Sequence, residues 1–278
     1  MPILHAIVLG LVQGLSEFLP ISSSGHLLLV PWLFGWDDFK GDESIEKAFD
    51  VALHIGTLVA ALVYFRHDVV RYVGAAWRSL ARRERPLDTD TRVAWLLLLS
   101  TLPAAAIGAV FEDKIDEHLG TPTIIAISLI VFGLLLAYAD RATGRRTVDE
   151  YTVRDALMVG AAQALALNPG TSRSGITMTA ARQAGFDRDS AARLSFLMMI
   201  PVTGGAVAFK MIGLIQDGIP KGLGGAMVVG IITSGVSGWF AVWGLLRLVR
   251  TRSFDPFVIY RVALGLTVLG LVAAGFRD

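Results

Sequence analysis

A carboxylate, a hydroxyl and an imidazole lie close together in the N-terminal stretch SEFLPISSSGH. Pro20 is expected to end one helix, and Ser22 is placed to cap the helix that follows. Ser23 and His26 then lie three residues apart on one helix face, so that with Glu17 they offer a nucleophile, a base and an orienting group. The structural alternative is a polar cap whose serines satisfy backbone groups while Glu17 faces a cavity.

A second stretch, NPGTSRSGIT, has the composition of an anion-binding site. Its Pro-Gly pair breaks a helix, Ser172 is placed to cap the next helix, and Arg173 lies beside that helix start. Free amide groups and the positive end of the helix dipole favour phosphate, which a guanidinium binds through a planar fork. The neighbouring hydroxyls of Ser174 and Thr177 are expected to add contacts to the same anion. An ion pair between Arg173 and Glu17 is the structural alternative.

The two stretches are similar to each other. When Gly10 is aligned with Gly160, Ser23 falls opposite Arg173, with one residue inserted after Pro169. Further matched pairs are Gln13 with Gln163, Pro20 with Pro169, Ser22 with Ser172, and Ser24 with Ser174. Repeated broken segments are typical of inverted-topology repeats, whose site lies where the breaks meet at the membrane midplane.

Composition places these stretches in a membrane. Of the 278 residues, 54% are hydrophobic and 18% are charged, whereas a soluble domain has about 25% charged residues. A helix needs about 20 mostly apolar residues to cross a bilayer, and a soluble core does not explain many such blocks. We identify eight apolar segments, near 3–30, 49–65, 93–111, 122–139, 155–181, 192–213, 224–246 and 256–275.

The charges between these segments determine the expected topology, because Arg and Lys in short loops mark the cytoplasmic side. Arginines are concentrated in the loops 66–92, 140–154 and 247–252, and acidic residues in 37–47 and 112–117. Eight simple crossings would put the three arginines of 247–252 outside, so we expect 155–181 to enter and leave from the cytoplasm. The sequence therefore predicts an all-α polytopic membrane protein with six transmembrane helices, two re-entrant helical hairpins, and both termini outside.

The predicted architecture is a single membrane domain, 1–278, made of two inverted halves. The first repeat, 1–139, contains the re-entrant hairpin 3–30 and three spans. The second repeat, 150–278, contains the re-entrant hairpin 155–181 and three spans.

The chain resembles, through QGLSEFLPISSSGH and NPGTSRSGIT, the undecaprenyl pyrophosphate phosphatase family, also called the bacitracin-resistance family. The blocks FDVALHIGTLVA and RLSFLMMIPVTGG are similar to the family as well, so the resemblance covers nearly the whole chain. It implies removal of the terminal phosphate from undecaprenyl pyrophosphate. The family's site falls, by this resemblance, on the acidic motif Gln13 and Glu17, on Ser23, on His26, and on Arg173 with Ser172, Ser174 and Thr177.

The resemblance also implies a cofactor, a location and partners. The cofactor is a divalent cation, Mg or Ca, and Glu17 is its expected ligand because Gln13 supplies no second carboxylate. The expected location is the bacterial plasma membrane, with the site opening to the extracytoplasmic side. The expected partners are a polyprenyl pyrophosphate lipid and membrane lipids, without nucleic acid, and a homodimer is left open.

Two alternatives remain open from the sequence. The attacking group is Ser23, His26 or a water molecule. The chain as a whole is a phosphatase or, as the alternative, a polyprenyl-phosphate flippase, because broken helices in inverted repeats are typical of secondary transporters. A flippase needs Arg173 for the anion but no nucleophile.

Overall fold

The computed structural model describes residues 1–39, 41–82, 87–217 and 222–277, which form twelve α-helices and no strand. In chain order these are α1 Ile3–Phe18, α2 Ser23–Phe34, α3 Glu43–Tyr64, α4 Arg66–Arg82, α5 Thr89–Leu99, α6 Leu102–Leu119, α7 Pro122–Asp140, α8 Val153–Ala164, α9 Arg173–Gln183, α10 Arg188–Asp217, α11 Gly224–Val249 and α12 Asp255–Ala273. The all-α prediction is confirmed. Arg83 and Arg85 of the arginine-rich stretch, and the side chains of the acidic stretch 112–117, lie outside the described residues.

Six helical segments of the described chain are long and apolar enough to cross a membrane. They are Ser44–Tyr64, Thr89–Gly108, Pro122–Asp140, Arg188–Gly213, Gly224–Val249 and Asp255–Ala273. They coincide with the six segments predicted to span, so the polytopic prediction is confirmed. The division of the chain into the halves 1–139 and 150–278 stays a prediction.

The remaining two apolar segments are each folded into two short helices. In the first, α1 and α2 are separated at Leu19–Ser22, next to Pro20. In the second, α8 is followed by a 3-10 turn, Leu165–Leu167, and then by α9. The longest of these four helices, α1, has 16 residues and is about 24 Å long, which is shorter than a hydrocarbon core of about 30 Å.

The first arms of both hairpins pack closely against long helices. A Cβ atom at Gly14 of α1 would lie 2.4 Å from the carbonyl oxygen of Ser234 in α11. A Cβ atom at Gly160 of α8 would lie 2.5 Å from the carbonyl oxygen of Ser100, at the end of α5. Small residues allow such close approach between helices in membranes, and here they fix both hairpins against the bundle.

Two expectations about the middle of the chain are wrong. The stretch 66–92 was expected as a loop but contains the helix α4, whose exposed apolar residues recur every three or four positions: Val70, Val73, Trp77 and Leu80. Such a stripe among arginines is typical of a helix lying at a membrane interface, and it lacks the continuous apolar run of a span. The segment 93–111 was expected as one helix but breaks at Ser100–Thr101, because Pro103 belongs in the first turn of a new helix.

Candidate functional site

Both hairpins break with the same backbone conformation. Ser22 has φ 78° and Ser172 has φ 72°, in the left-handed region that non-glycine residues rarely adopt. Each serine then caps the next helix, because its Oγ accepts from the amide of Gly25 at 3.4 Å or of Gly175 at 3.1 Å. Such conformations cost about 1–3 kcal/mol each and persist where surrounding contacts determine them.

The two breaks are in direct contact. The amide of Gly170 donates to Ser22 Oγ at 3.1 Å, and Ser174 Oγ donates to the carbonyl oxygen of Leu19 at 3.1 Å. Gly170 has φ 91°, and a Cβ atom there would lie 2.6 Å from the carbonyl oxygen of Ile125, so only glycine fits. The starts of helices α2 and α9 therefore lie next to each other, which is the arrangement that the repeat predicts for a functional site.

Glu17 lies at the centre of this meeting point, on the last turn of α1, and its side chain is 5% exposed. Its Oε1 accepts a hydrogen bond from Arg173 Nη2, and its Oε2 accepts one from Ser23 Oγ. Gln13 Nε2 also donates to Oε2, at 3.3 Å. One buried carboxylate thus connects a hydroxyl from one hairpin with a guanidinium from the other, and the ion pair considered from sequence is observed.

Arg173 is held in place by a second contact. Its Nη1 donates to Thr203 Oγ1 at 2.6 Å, and Thr203 is a buried residue of α10. The guanidinium is itself only partly exposed, with 18% of the side chain accessible. Because two of its nitrogens are fixed, the fork is oriented before any anion binds.

The hydroxyls expected to flank Arg173 form hydrogen bonds within the protein. Ser172 Oγ lies 3.2 Å from Ser174 Oγ, and Thr177 Oγ1 donates to Ser195 Oγ at 2.7 Å. All three residues are buried. They hold the helix start of α9 in position, and their direct contact with a substrate stays a prediction.

His26 makes different contacts from those suggested by its spacing from Ser23. Its Nδ1 lies 2.6 Å from the carbonyl oxygen of Ser22, and its Nε2 lies 2.7 Å from the hydroxyl of Tyr260. A carbonyl only accepts, so Nδ1 carries a hydrogen and donates it to Ser22. Ser23 Oγ bonds to Glu17 instead, and a catalytic role for His26 stays a prediction.

Arg261 is fully buried beneath the two breaks. Its Nη1 donates to the carbonyl oxygen of Pro20 at 3.1 Å, and its Nη2 donates to that of Gly170 at 2.9 Å. It also donates to the carbonyl oxygens of Leu129 at 3.0 Å, Thr171 at 3.0 Å and Ser128 at 3.4 Å. Arg261 therefore ties both hairpins to α7 and sets their relative position.

Comparison with known proteins gives a match over nearly the whole chain. The family model described as bacitracin resistance protein BacA matches residues 6–267. The chain belongs to the bacitracin resistance protein family. Similar proteins named undecaprenyl-diphosphatase occur in Geobacter sulfurreducens, 48% identical over 99% of this chain and 100% of the relative, and in Pelobacter propionicus, 45% identical over 99% of both. Another, from a Nocardioides species, is 45% identical over 98% of this chain and 97% of the relative.

The divalent cation expected from the sequence would find only a few oxygen ligands around Glu17. Among the described residues, no group of three or more His, Cys, Asp or Glu side chains is placed to hold a metal ion. Glu17 supplies one carboxylate, and the buried Gln13 Oε1 beside it has no hydrogen-bond partner. Mg²⁺ often binds proteins through one or two oxygen ligands together with substrate phosphates, so Glu17 and Gln13 are the residues that would hold it.

Two residues of this site were missed from sequence. Thr203 and Tyr260, which contact Arg173 and His26, were not singled out. The signal for Thr203 was present, because it lies in RLSFLMMIPVTGG, one of the blocks that resemble the bacitracin-resistance family.

Proposed function

We propose that this protein hydrolyses undecaprenyl pyrophosphate to undecaprenyl phosphate and inorganic phosphate, and so recycles the lipid carrier of cell-wall synthesis and confers resistance to bacitracin. One observation carries the proposal: Glu17 binds both Ser23 and Arg173 where two helix starts meet. Family membership and the name undecaprenyl-diphosphatase of the relatives support the same activity.

Substrate binding begins with an exchange of partners at Arg173. Its charge is paired with the carboxylate of Glu17, whose place beside the guanidinium a phosphate oxygen can take. A pyrophosphate at the meeting point offers more charge and a bidentate geometry, so the guanidinium turns from Glu17 to the phosphate. The free amides at the starts of α2 and α9 bind the remaining oxygens.

The chemical step uses the contact between Ser23 and Glu17. Glu17 accepts the Ser23 proton while Oγ forms a bond to the terminal phosphorus, and the bond from that phosphorus to the bridging oxygen breaks. Undecaprenyl phosphate leaves. A water molecule then bonds to the phosphorus as the bond from that phosphorus to Oγ breaks, Oγ takes back the proton held by Glu17, and inorganic phosphate is released. Phosphoryl transfer depends mostly on positioning and charge stabilisation, which these few groups supply.

Glu17 and Gln13 would hold a divalent cation, which would neutralise phosphate charge and polarise the phosphoryl oxygens when bound. The roles of Arg173 and Arg261 stay the same when the cation is bound. Arg173 orients the pyrophosphate, and Arg261 keeps the two helix starts in register through Pro20 and Gly170.

The proposed setting is the bacterial plasma membrane, with the site opening to the extracytoplasmic side. The arginine-rich ends of the bundle, at 140–154 and 247–252, then lie in the cytoplasm. A polyprenyl chain extends from the site along the lipid-facing surface of the hairpins, where apolar residues such as Leu11 and Leu15 of α1 are exposed.

Transport of a polyprenyl phosphate is not favoured as the function. A transporter needs an anion clamp such as Arg173, but it does not need a serine hydroxyl bonded to a buried carboxylate. The relatives carry the name of an enzyme.

The experiment that tests the proposal measures phosphate release from undecaprenyl pyrophosphate by the purified protein in detergent. We expect release above the blank, loss of release with a chelator, and recovery when Mg²⁺ or Ca²⁺ is restored. A monodisperse protein that releases no phosphate with either cation would overturn the proposal, and activity that persists in chelator would overturn the cation requirement alone.

A further inference from the structure

A cavity rich in arginine lies at the opposite end of α9 from Arg173. Its volume is about 610 Å³, and it is bounded by the ends of α7, α9 and α11 and the start of α10. Five arginines and three aspartates line it, so its walls carry two positive charges in excess. The arginines are Arg141, Arg145, Arg182, Arg188 and Arg250.

This cavity is separate from the site at the two breaks. Arg173 begins α9 and Arg182 lies in its last turn, so the two residues are about 14 Å apart along the helix axis. The cavity lining includes neither Glu17 nor Ser23. A ligand in the cavity would therefore not be the reacting pyrophosphate.

The aspartates compensate only part of the positive charge. Asp140, whose side chain is 3% exposed, accepts from Arg188 at 2.6 Å and lies 3.4 Å from Arg182. Asp189 pairs with Arg250 at 3.0 Å. The third aspartate, Asp187, accepts from the amide of Ser190 at 2.7 Å and caps the start of α10.

Arg141 and Arg145 hold the uncompensated charge. Both are exposed at the rim, and neither forms an ion pair in the part of the chain that the structure describes. A guanidinium with no carboxylate partner is free to bind phosphate through its planar fork.

Arg182 forms the inner wall of the cavity, and its side chain is 4% exposed. Its terminal nitrogens donate to the carbonyl oxygens of Phe186 at 2.6 Å, Asp140 at 3.1 Å and Ala142. Its Nε lies 3.4 Å from Asp140 Oδ1, so the Asp140 carboxylate faces the guanidinium groups of both Arg182 and Arg188. Arg182 is therefore held by the protein, and the charge that is available to a phosphate lies at the rim with Arg141 and Arg145.

We propose that this cavity binds the phosphate group of an anionic ligand, either the headgroup of an anionic phospholipid or inorganic phosphate. Arg141 and Arg145 capture the phosphate at the rim, and Arg182 marks the inner wall. Basic pockets between helices at the arginine-rich side of a membrane protein suit anionic headgroups. The inference goes beyond the proposed hydrolysis and does not depend on it.

The test compares two double variants that each lose two positive charges. Arg141→Gln with Arg145→Gln removes the rim of the cavity. Arg154→Gln with Arg252→Gln is the matched control, because both residues are exposed and neither lines the cavity. All proteins carry Arg173→Gln, so that phosphate bound at the two breaks does not contribute.

Binding is measured in two arms. Calorimetric titration with inorganic phosphate tests the free anion, and native mass spectrometry from phosphatidylcholine nanodiscs with or without phosphatidylglycerol tests the headgroup. We expect at least a tenfold loss of affinity in the rim variant, in whichever arm binds, and no change in the control. Binding that is absent in both arms, or equal in the rim variant and the control, would overturn the proposal, whereas phosphate release by the wild-type protein tests the hydrolase separately.

Discussion

Ser23 and Arg173 bind opposite oxygens of the same carboxylate, that of Glu17. Each is the first residue of its helix, and each follows a serine with positive φ. The proposed nucleophile and the proposed phosphate clamp therefore occupy matched positions in the two hairpins. In the proposed mechanism Arg173 moves to a phosphate, and the carboxylate of Glu17 is then released from the guanidinium while it stays beside the Ser23 hydroxyl.

The first prediction concerns the fork of Arg173. Arg173→Lys keeps the charge but loses the simultaneous contacts with Thr203 and Glu17, so we expect kcat/KM for phosphate release to fall about 100-fold. The control is Arg78→Lys, at an exposed position of α4, which should leave activity unchanged. Wild-type turnover in Arg173→Lys would mean that only the charge matters.

The second prediction concerns the coupling of Ser23 and Glu17. Ser23→Ala and Glu17→Gln should each lower the rate by about 1,000-fold, and the double variant should be no slower than the slower single variant, because the two residues act as a unit. The effect of Tyr260→Phe on the rate, which comes from the loss of a hydrogen-bond partner of His26, should simply add to the effect of Glu17→Gln. If the effects of Ser23→Ala and Glu17→Gln on the rate are fully additive, the two residues do not act as a unit in the mechanism.

The third prediction concerns Arg261 as the tie between the hairpins. Arg261→Met leaves buried carbonyl oxygens of both breaks without a donor, which should destabilise the fold by at least about 3 kcal/mol. Thermal unfolding in detergent measures the loss, and Arg252→Met at an exposed position should shift stability by less than about 0.5 kcal/mol. If Arg261→Met unfolds at the wild-type temperature, the buried hydrogen bonds contribute little.

The fourth prediction concerns topology, and the chain has no native cysteine to complicate it. In intact cells, Asp37→Cys should react with a membrane-impermeant thiol reagent, whereas Arg154→Cys and Arg252→Cys should react only after the membrane is opened. All three positions are exposed, so access depends on the side of the membrane. Labelling of Arg252→Cys from outside would contradict the re-entrant second hairpin.

Much of the fold follows from local signals that one sequence contains. The six spans are long apolar runs, and the breaks lie at Pro20 and at Pro169–Gly170, where proline cannot continue a helix. The capping roles of Ser22 and Ser172 are confirmed, because a serine after such a break commonly binds the free amides of the next helix.

Other features could not be predicted, because they depend on which distant residues the fold brings together. Tyr260 and Arg261 come from the last helix and reach the first hairpin only through tertiary packing. The spacing of Ser23 and His26 placed them on one face, but the bent entry to α2 directs Ser23 to Glu17 and His26 to Tyr260. The helix α4 was missed because amphipathic arginine-rich sequences carry no apolar run.

The most direct test of the central claim compares adjacent serines in one assay. Ser23 donates to Glu17, whereas Ser24 is exposed and makes no side-chain hydrogen bond among the described residues, so Ser24→Ala is a matched control for Ser23→Ala. Phosphate release from undecaprenyl pyrophosphate is measured for both, with folding checked by a monodisperse elution profile. The account predicts that Ser23→Ala lowers the rate of release by about 1,000-fold and that Ser24→Ala retains it, and a well-folded Ser23→Ala protein with wild-type release would contradict it.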